Sequence, residues 1–430
     1  MKCDGNGNCV SAGSGSYFAK YFEGSNYDYL NSAIQTSDGG YITTGSTRSF
    51  GAGDHDIFLV KFDSSGNIAW AKTVGGSMAD IARSVQQTND GGYITVGTTE
   101  SFGSGGNPFL VKFDSSGNVD WAKTINGPMY VSGNSVQQTS DGGYILTGMT
   151  WSLGAGGYDI LLVKFDSSGN VAWAKTIGSS GWDMAYSVQQ TSDGGYITFG
   201  TTDSFGAGGI DLFLVKHDGS GNVAWAKTVG GSDWEFGLSV QQTSDGGYIT
   251  TGSTYSFGQG NADIFIIKFD SSGNVVWEKT VGGPSKDEGR SVQQTSDGGY
   301  LVTGHDDNYD IPLIKFDSSG NIVSGRKFGD SGEVGEFVQQ TSDGGYIIFG
   351  KTSSFISGID NNLLVVKFDS GGNIPGCAYF QIHTFSAQSH TISAQSHTVI
   401  VQGHTIPVQS HTITAQDQNF NENVICSGSG

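Results

Sequence analysis

The chain has 430 residues, among them 69 glycines and 6 prolines, 12% aromatic residues and a formal net charge of −20. Such an excess of acid repels phosphate backbones, whose recognition rests on Lys and Arg, so nucleic acid is excluded as a partner. No run reaches the roughly 18–20 apolar residues of a membrane helix, and the glycine-rich, proline-poor composition suits strands joined by tight turns.

Residues 1–16 form an N-terminal segment that carries Cys3 and Cys9; no basic stretch followed by an apolar one opens the chain, so no signal peptide is legible. The other two cysteines, Cys377 and Cys426, bound the C-terminal segment. Four cysteines allow three pairings, and nearness in sequence favours Cys3 with Cys9 and Cys377 with Cys426, as clips on the two termini. Disulfides there point to an oxidising compartment, extracellular or at the cell surface. No CxxC pair is present, so zinc is not expected.

From residue 17 to 376 the chain repeats. The string DGGY begins at Asp38, Asp90, Asp141, Asp193, Asp245, Asp297 and Asp343, at spacings of 52, 51, 52, 52, 52 and 46. Each copy holds four apolar runs, in the first copy AIQT, GYITTGST, DIFLVKFD and NIAWAKTVG. SDGG and DSSGN separate the pairs and supply the Asp, Gly and Asn of tight turns. In the third run Phe58, Val60 and Phe62 alternate with Ile57, Leu59 and Lys61, a period of two rich in β-branched and aromatic residues. The expected unit is therefore four antiparallel strands, and a fifty-residue period of such units describes the blades of a β-propeller.

The ends decide whether the array closes. The seventh copy stops at SGGNIPGC without a WAK strand, and the chain begins with that strand alone, YFAKYFEG, with Phe18 at the tryptophan position. Closure by the N-terminal strand completes the seventh blade and removes exposed sheet edges. The fold class expected is all-β: a closed seven-bladed β-propeller over 17–376, followed by an extended β-strand tail over 377–430.

The unit DIFLVKFDSSGNVAWAKTVGGS…SVQQTSDGGYITTGST resembles the bacterial and archaeal seven-bladed β-propeller repeat proteins, many of them secreted or on the cell surface. The resemblance covers residues 17–376 and implies an architecture rather than one activity. The heptad tail after IPGC is similar to Ser/Thr-rich tails on some of those proteins.

Candidate sites follow from repeat positions. Four residues before the Ser of SVQQT an acid recurs as Asp28, Asp80, Asp183, Glu235, Asp287 and Glu333, with Val131 interrupting the series. Converging carboxylates would suit a hard cation such as calcium or a polyol; the competing reading is that each acid fixes its own turn. The sixth copy replaces a longer loop with HDDNYD, whose Asp306, Asp307 and Asp310, with Asn308, suit either calcium or a tight hairpin. Beyond calcium no cofactor is indicated. Four arginines (Arg48, Arg83, Arg290, Arg326) at unrelated repeat positions, and three body histidines at different positions, offer no nucleophile–base pair, so no enzyme is expected.

The tail has its own period. His383, His390, His397, His404 and His411 stand seven residues apart, each followed by Thr. Seven extended residues span about 23 Å, too far for successive imidazoles of one strand to share an ion. Seven is odd, so a continuous strand would turn Ile392 and Ala394 to one face and Val399 and Val401 to the other. Five heptads reach roughly 115 Å, beyond a disc on the order of 55 Å across. The assembly reading is a structural protein whose tail pairs with a second copy and builds a filament or surface layer by strand addition. The alternative is a surface module whose loops bind a glycan or protein, with the tail as a stalk; a tail wrapped on its own propeller is the third course left open.

Overall fold

The computed structural model describes residues 2–3, 9–10, 17–103, 106–126, 131–354 and 361–428, except 384, 391, 393–394, 398, 405–407, 412, 414–415 and 419–420. The strands Lys2–Cys3 and Cys9–Val10 pair antiparallel, with Cys3 opposite Cys9. All other described strands belong to seven sheets arranged as a ring.

Blade 1 contains Asp28–Gln35, Tyr41–Thr47, Asp56–Phe62 and Ile68–Val74, innermost strand first. Blades 2, 3 and 4 start at Asp80–Gln87, Val131–Gln138 and Asp183–Gln190. Blades 5, 6 and 7 start at Glu235–Gln242, Glu288–Gln294 and Glu333–Gln340. Blade 7 takes its fourth strand, Tyr17–Glu23, from the N-terminus; it pairs with Asn362–Phe368, Ala19 opposite Val366. The ring is a seven-bladed propeller closed by that strand.

Second and third strands, such as Tyr41–Thr47 and Asp56–Phe62, are buried along their whole length, because each blade is sandwiched between two neighbours. The core is accordingly a set of inter-blade clusters. Phe18 and Phe22 of blade 7, for example, pack with Phe58 and Phe62 of blade 1. The repeated motifs are mostly latches. Trp70, Trp121, Trp173, Trp225 and Trp277 each meet, edge to face, the DGGY tyrosine of the following blade, with ring centroids 5.6–5.9 Å apart. The VK lysine reaches the DGGY aspartate, as Lys61 does Asp38 at 2.9 Å, in all seven blades. Gly39 has φ +80, and a Cβ on Gly40 would lie 2.3 Å from the Phe62 carbonyl oxygen, so this turn requires both glycines.

The tail does not form one continuous strand. It runs backwards around the rim and adds a fifth strand to each blade in turn. Phe380–Ile382 pairs with the fourth strand of blade 6, Ala387–Gln388 with that of blade 5, and Gln395–Ser396 with that of blade 4. Ile400–His404, Val408–His411, Gln416–Asp417 and Asn421–Gly428 complete blades 3, 2, 1 and 7. A disulfide joins Cys377 to Cys426, so 49 residues of separation form a covalent hoop around the disc. A rim of about 170 Å divides into blade steps of about 24 Å, and seven extended residues span about 23 Å. The heptad is thus the rim distance between blades measured in residues. Crossing to the next blade after each short pairing also resolves the face-flipping that an odd period imposes.

Phe385, Ile392, Val399 and Ile413 pack into the clefts between blades. Blade 6 has Gly325 where blades 1 to 4 have alanine, and the larger Phe385 rests on it; a Cβ there would lie 2.4 Å from the Phe385 ring. This occupation of the outer edges redirects the expected tail-to-neighbour pairing: the described tail strands bond to their own blades.

Candidate functional site

The acids of the repeat do not converge on the channel. Asp28, Asp80, Asp183, Glu235, Asp287 and Glu333 are buried in the junctions between blades, and each binds its own local chain. Asp80 accepts the Gly76 amide at 2.8 Å and the Thr99 hydroxyl. Asp183 accepts the Ser179 amide at 2.9 Å and the Ser204 hydroxyl at 2.6 Å. Glu333 takes the Asp330 amide at 2.8 Å and the Thr352 hydroxyl at 2.7 Å. Opposite each of several such acids stands the first residue of the preceding blade's third strand. Burial, together with the facing carboxylate, pushes Asp56 and Asp159 up to about 6 and Asp211 and Asp263 up to about 7.

HDDNYD is a tight hairpin. Asp306 accepts the amides of Asn308 and Asp310 at 3.0 and 2.9 Å and pairs with Lys327, while Asp310 accepts the Ser331 amide at 3.2 Å. Asp307 is half-buried beside them. Among the described residues no group of three or more His, Cys, Asp or Glu surrounds a common point.

The tail histidines lie on successive blades. His390 bonds Thr280 at 2.9 Å and its ring stands 5.3 Å from Phe257; His397 bonds Thr228 at 2.7 Å and stands 5.4 Å from Phe205. His383 donates its amide to Gly325 at 3.2 Å, and His404 and His411 face Ala174 and Ala122 in their ladders. The preceding serine works with them, since Lys227 donates to Ser396 at 2.8 Å and Lys279 to Ser389 at 2.6 Å.

The ring symmetry holds on one face and fails on the other. At the DGGY face, seven glutamine side chains accept a backbone amide from the preceding blade, the last being Ser342 to Gln35 at 3.2 Å. This hydrogen-bonded collar is the same in every blade and closes across the 7–1 junction.

At the opposite face every first strand carries a β-bulge, at Asn31, Arg83, Asn134, Tyr186, Leu238, Arg290 and Glu336. A bulge re-aims the extra side chain. Six of these residues line a central cavity of about 470 Å³. Among the positions that line this cavity, the bulge differs from blade to blade, while the Ser, Val and Gln that follow it are mostly the same. Sequence reading placed Arg83 and Arg290 at unrelated repeat positions, whereas both stand at this bulge; the bulge is visible only when the ladder register is known.

Two hollows flank this mouth. One, of about 330 Å³, is lined by Tyr186, Trp234, Phe236, Tyr255, Lys286 and Glu288. Trp234 is 52% exposed, and its ring is 6.4 Å from both Phe236 and Tyr255. The other, of about 560 Å³, is lined by Lys286, Arg290, His305, Tyr309 and Lys351 among others. Arg290 and Lys286 pair with Glu288 at 2.7 and 2.8 Å, and Lys351 with Glu336 at 3.0 Å. Burial opposes the charge on Glu288, but His305, Arg290 and Lys286 outweigh it and hold the carboxyl far below its ordinary range. His305 stacks on Tyr309 at 4.9 Å. An aromatic wall and a cation-bearing wall therefore meet at one side of the channel in an otherwise acidic protein.

No protein-family model matches the chain. Over an aligned length of 134, covering 27% of this chain and 14% of the other, the sequence is 29% identical to the regulatory protein FlaEY of Caulobacter vibrioides. Among solved structures, Sqt1 of Chaetomium thermophilum aligns over 84% of this chain and 99% of its own, at 11% identity and a TM-score of 0.48. Sqt1 bound to the N-terminus of the ribosomal protein L10 aligns over 81% and 98%, at 11% identity and 0.43. A Dyadobacter fermentans protein of unknown function aligns over 82% and 98%, at 10% identity and 0.43. Similarities of that size carry no argument, and the propeller rests on the sheet topology.

Proposed function

We propose that this protein is a non-enzymatic binding module that recognises a glycan at the bulge-lined mouth of its channel, in an extracellular or cell-surface setting. One observation carries the reading: the blades agree at their latches and turns and diverge at the side chains the bulges aim into the mouth. Exposed Trp234, with Phe236 and Tyr255 beside it, offers the flat apolar surface that a sugar ring stacks on. Lys286, Arg290, Lys351 and Glu288 supply the few placed polar groups that fix orientation. The Cys377–Cys426 disulfide favours the oxidising setting. Each blade's outer edge already carries a tail strand, so a filament built by strand addition would require the tail to leave its own rim; binding therefore stands ahead of assembly. The test is a glycan array followed by calorimetry on the best hit. Trp234→Ala should weaken binding at least tenfold with the melting temperature unchanged, and Arg290→Ala should do so for charged glycans. A hit that binds both variants as tightly as the parent would place recognition elsewhere.

A further inference from the structure

The junction between blades 4 and 5 holds a group that neither the latches nor the mouth uses. Asp211, the first residue of a third strand, is 1% exposed, and Glu235, the first residue of the next blade, is 2% exposed. Asp211 Oδ2 accepts the Ala207 amide at 2.8 Å, but Oδ1 is buried with no hydrogen-bond partner. Glu235 Oε2 accepts the Gly231 amide at 3.0 Å and faces the same space. Gly230 lies between them: the point where its Cβ would sit is 1.6 Å from Asp211 Oδ1 and 2.5 Å from Glu235 Oε2. The two oxygens are therefore separated by no more than the span of two calcium–oxygen bonds of about 2.3–2.6 Å.

The pattern recurs. The corresponding points on Gly75, Gly178 and Gly282 lie within 3.0 Å of an oxygen from each partner in Asp56–Asp80, Asp159–Asp183 and Asp263–Asp287. Any side chain at these glycines would collide with the carboxylates. Two buried carboxylates facing one another are repulsive unless a cation separates them or one of them holds a proton. Elsewhere the repeat breaks this pairing, for Asn107 and Val131 stand at the junction of blades 2 and 3.

We infer that a divalent cation of the calcium class bridges blades 4 and 5 between Asp211 Oδ1 and Glu235 Oε2. Water would complete the coordination. The cation ties the third strand of one blade to the first strand of the next, on the face opposite the glutamine collar. Its role is to clamp the ring, and it does not depend on ligand recognition at the mouth.

The experiment is calcium binding to chelator-stripped full-length protein by equilibrium dialysis and calorimetry at pH 7.5 and 150 mM sodium chloride, with magnesium as comparison. Calcium should raise the melting temperature, and the parent should bind one equivalent more than Asp211→Asn. Glu235→Gln serves as the second variant should the first fold poorly. Asp233→Asn, on the neighbouring surface, should keep the parental stoichiometry. The inference is overturned if stripped protein binds no calcium above the level of the surface acids, if either variant retains the full stoichiometry, or if melting is indifferent to calcium. The last would mean that a shared proton occupies the gap. Glycan affinity is read separately, so failure here leaves the mouth assignment untouched, and the converse holds.

Discussion

Cutting the hoop should destabilise the disc by an amount set by the loop it closes. Cys377 is half-buried and Cys426 fully buried, so Cys377→Ser opens the bond while leaving at Cys426 a small apolar thiol suited to its pocket. The bond closes a loop with a sequence separation of 49. On the chain-entropy model such a closure is worth about 4 kcal/mol. Unfolding entropy of about 2.1 cal/mol/K per residue gives about 0.9 kcal/mol/K for the whole chain, so the melting temperature should fall by about 4–5 °C. Calorimetry of the parent, the variant and the parent under reductant provides the comparison, and reductant should reproduce the variant. Hydrogen exchange should show protection lost first over 380–417, where each rim segment pairs through two to five residues. A variant that melts with the parent and keeps its protected rim would refute the idea that covalent closure holds the tail in place.

Phe22→Ala removes a fully buried ring that packs on Phe62 at 5.1 Å across the closing junction; a loss of about 3–5 kcal/mol is expected in denaturant unfolding, and a loss under 1 kcal/mol would mean the N-terminal strand does not close the ring. Deleting Thr391 to His397 removes one blade step from a hoop that must visit seven blades, so either an outer edge or the disulfide is lost; complete oxidation by thiol alkylation together with parental melting would contradict the matching of heptad to rim. In chelator, the raised carboxyls Asp56, Asp159, Asp211 and Asp263 favour the folded state while protonated, so their contribution is full below about pH 4 and disappears as pH rises through 6–7. Asp193 acts in the opposite direction: hydrogen bonds from Lys216 and Thr191 hold it at about 2, and its contribution is lost as pH falls from about 4 toward that value. Melting temperature in EDTA should therefore peak between about pH 4 and 6, and a protein more stable at pH 8 than at pH 5 would contradict this placement of the buried pairs.

Strands, blade number and closure were legible in the sequence because they rest on local or countable properties. Side-chain alternation marks each strand, turn residues mark each hairpin, and a missing WAK run at one end matched by YFAK at the other marks the junction. The heptad was legible as a period but not as a distance. Its meaning depends on the radius of the disc, and that radius exists only once seven blades have packed. A one-strand view of HTISAQS therefore sought a partner on another molecule, when the partner was the next cleft along the rim. The bulges at Arg83, Tyr186, Arg290 and their counterparts are likewise silent in the sequence, since one unpaired residue is a property of register between two strands. The same holds for Asp211 and Glu235. They are separated by two strands and two turns, and only the stacking of one blade on the next brings their carboxylates to opposite sides of a glycine that has no side chain to keep them apart.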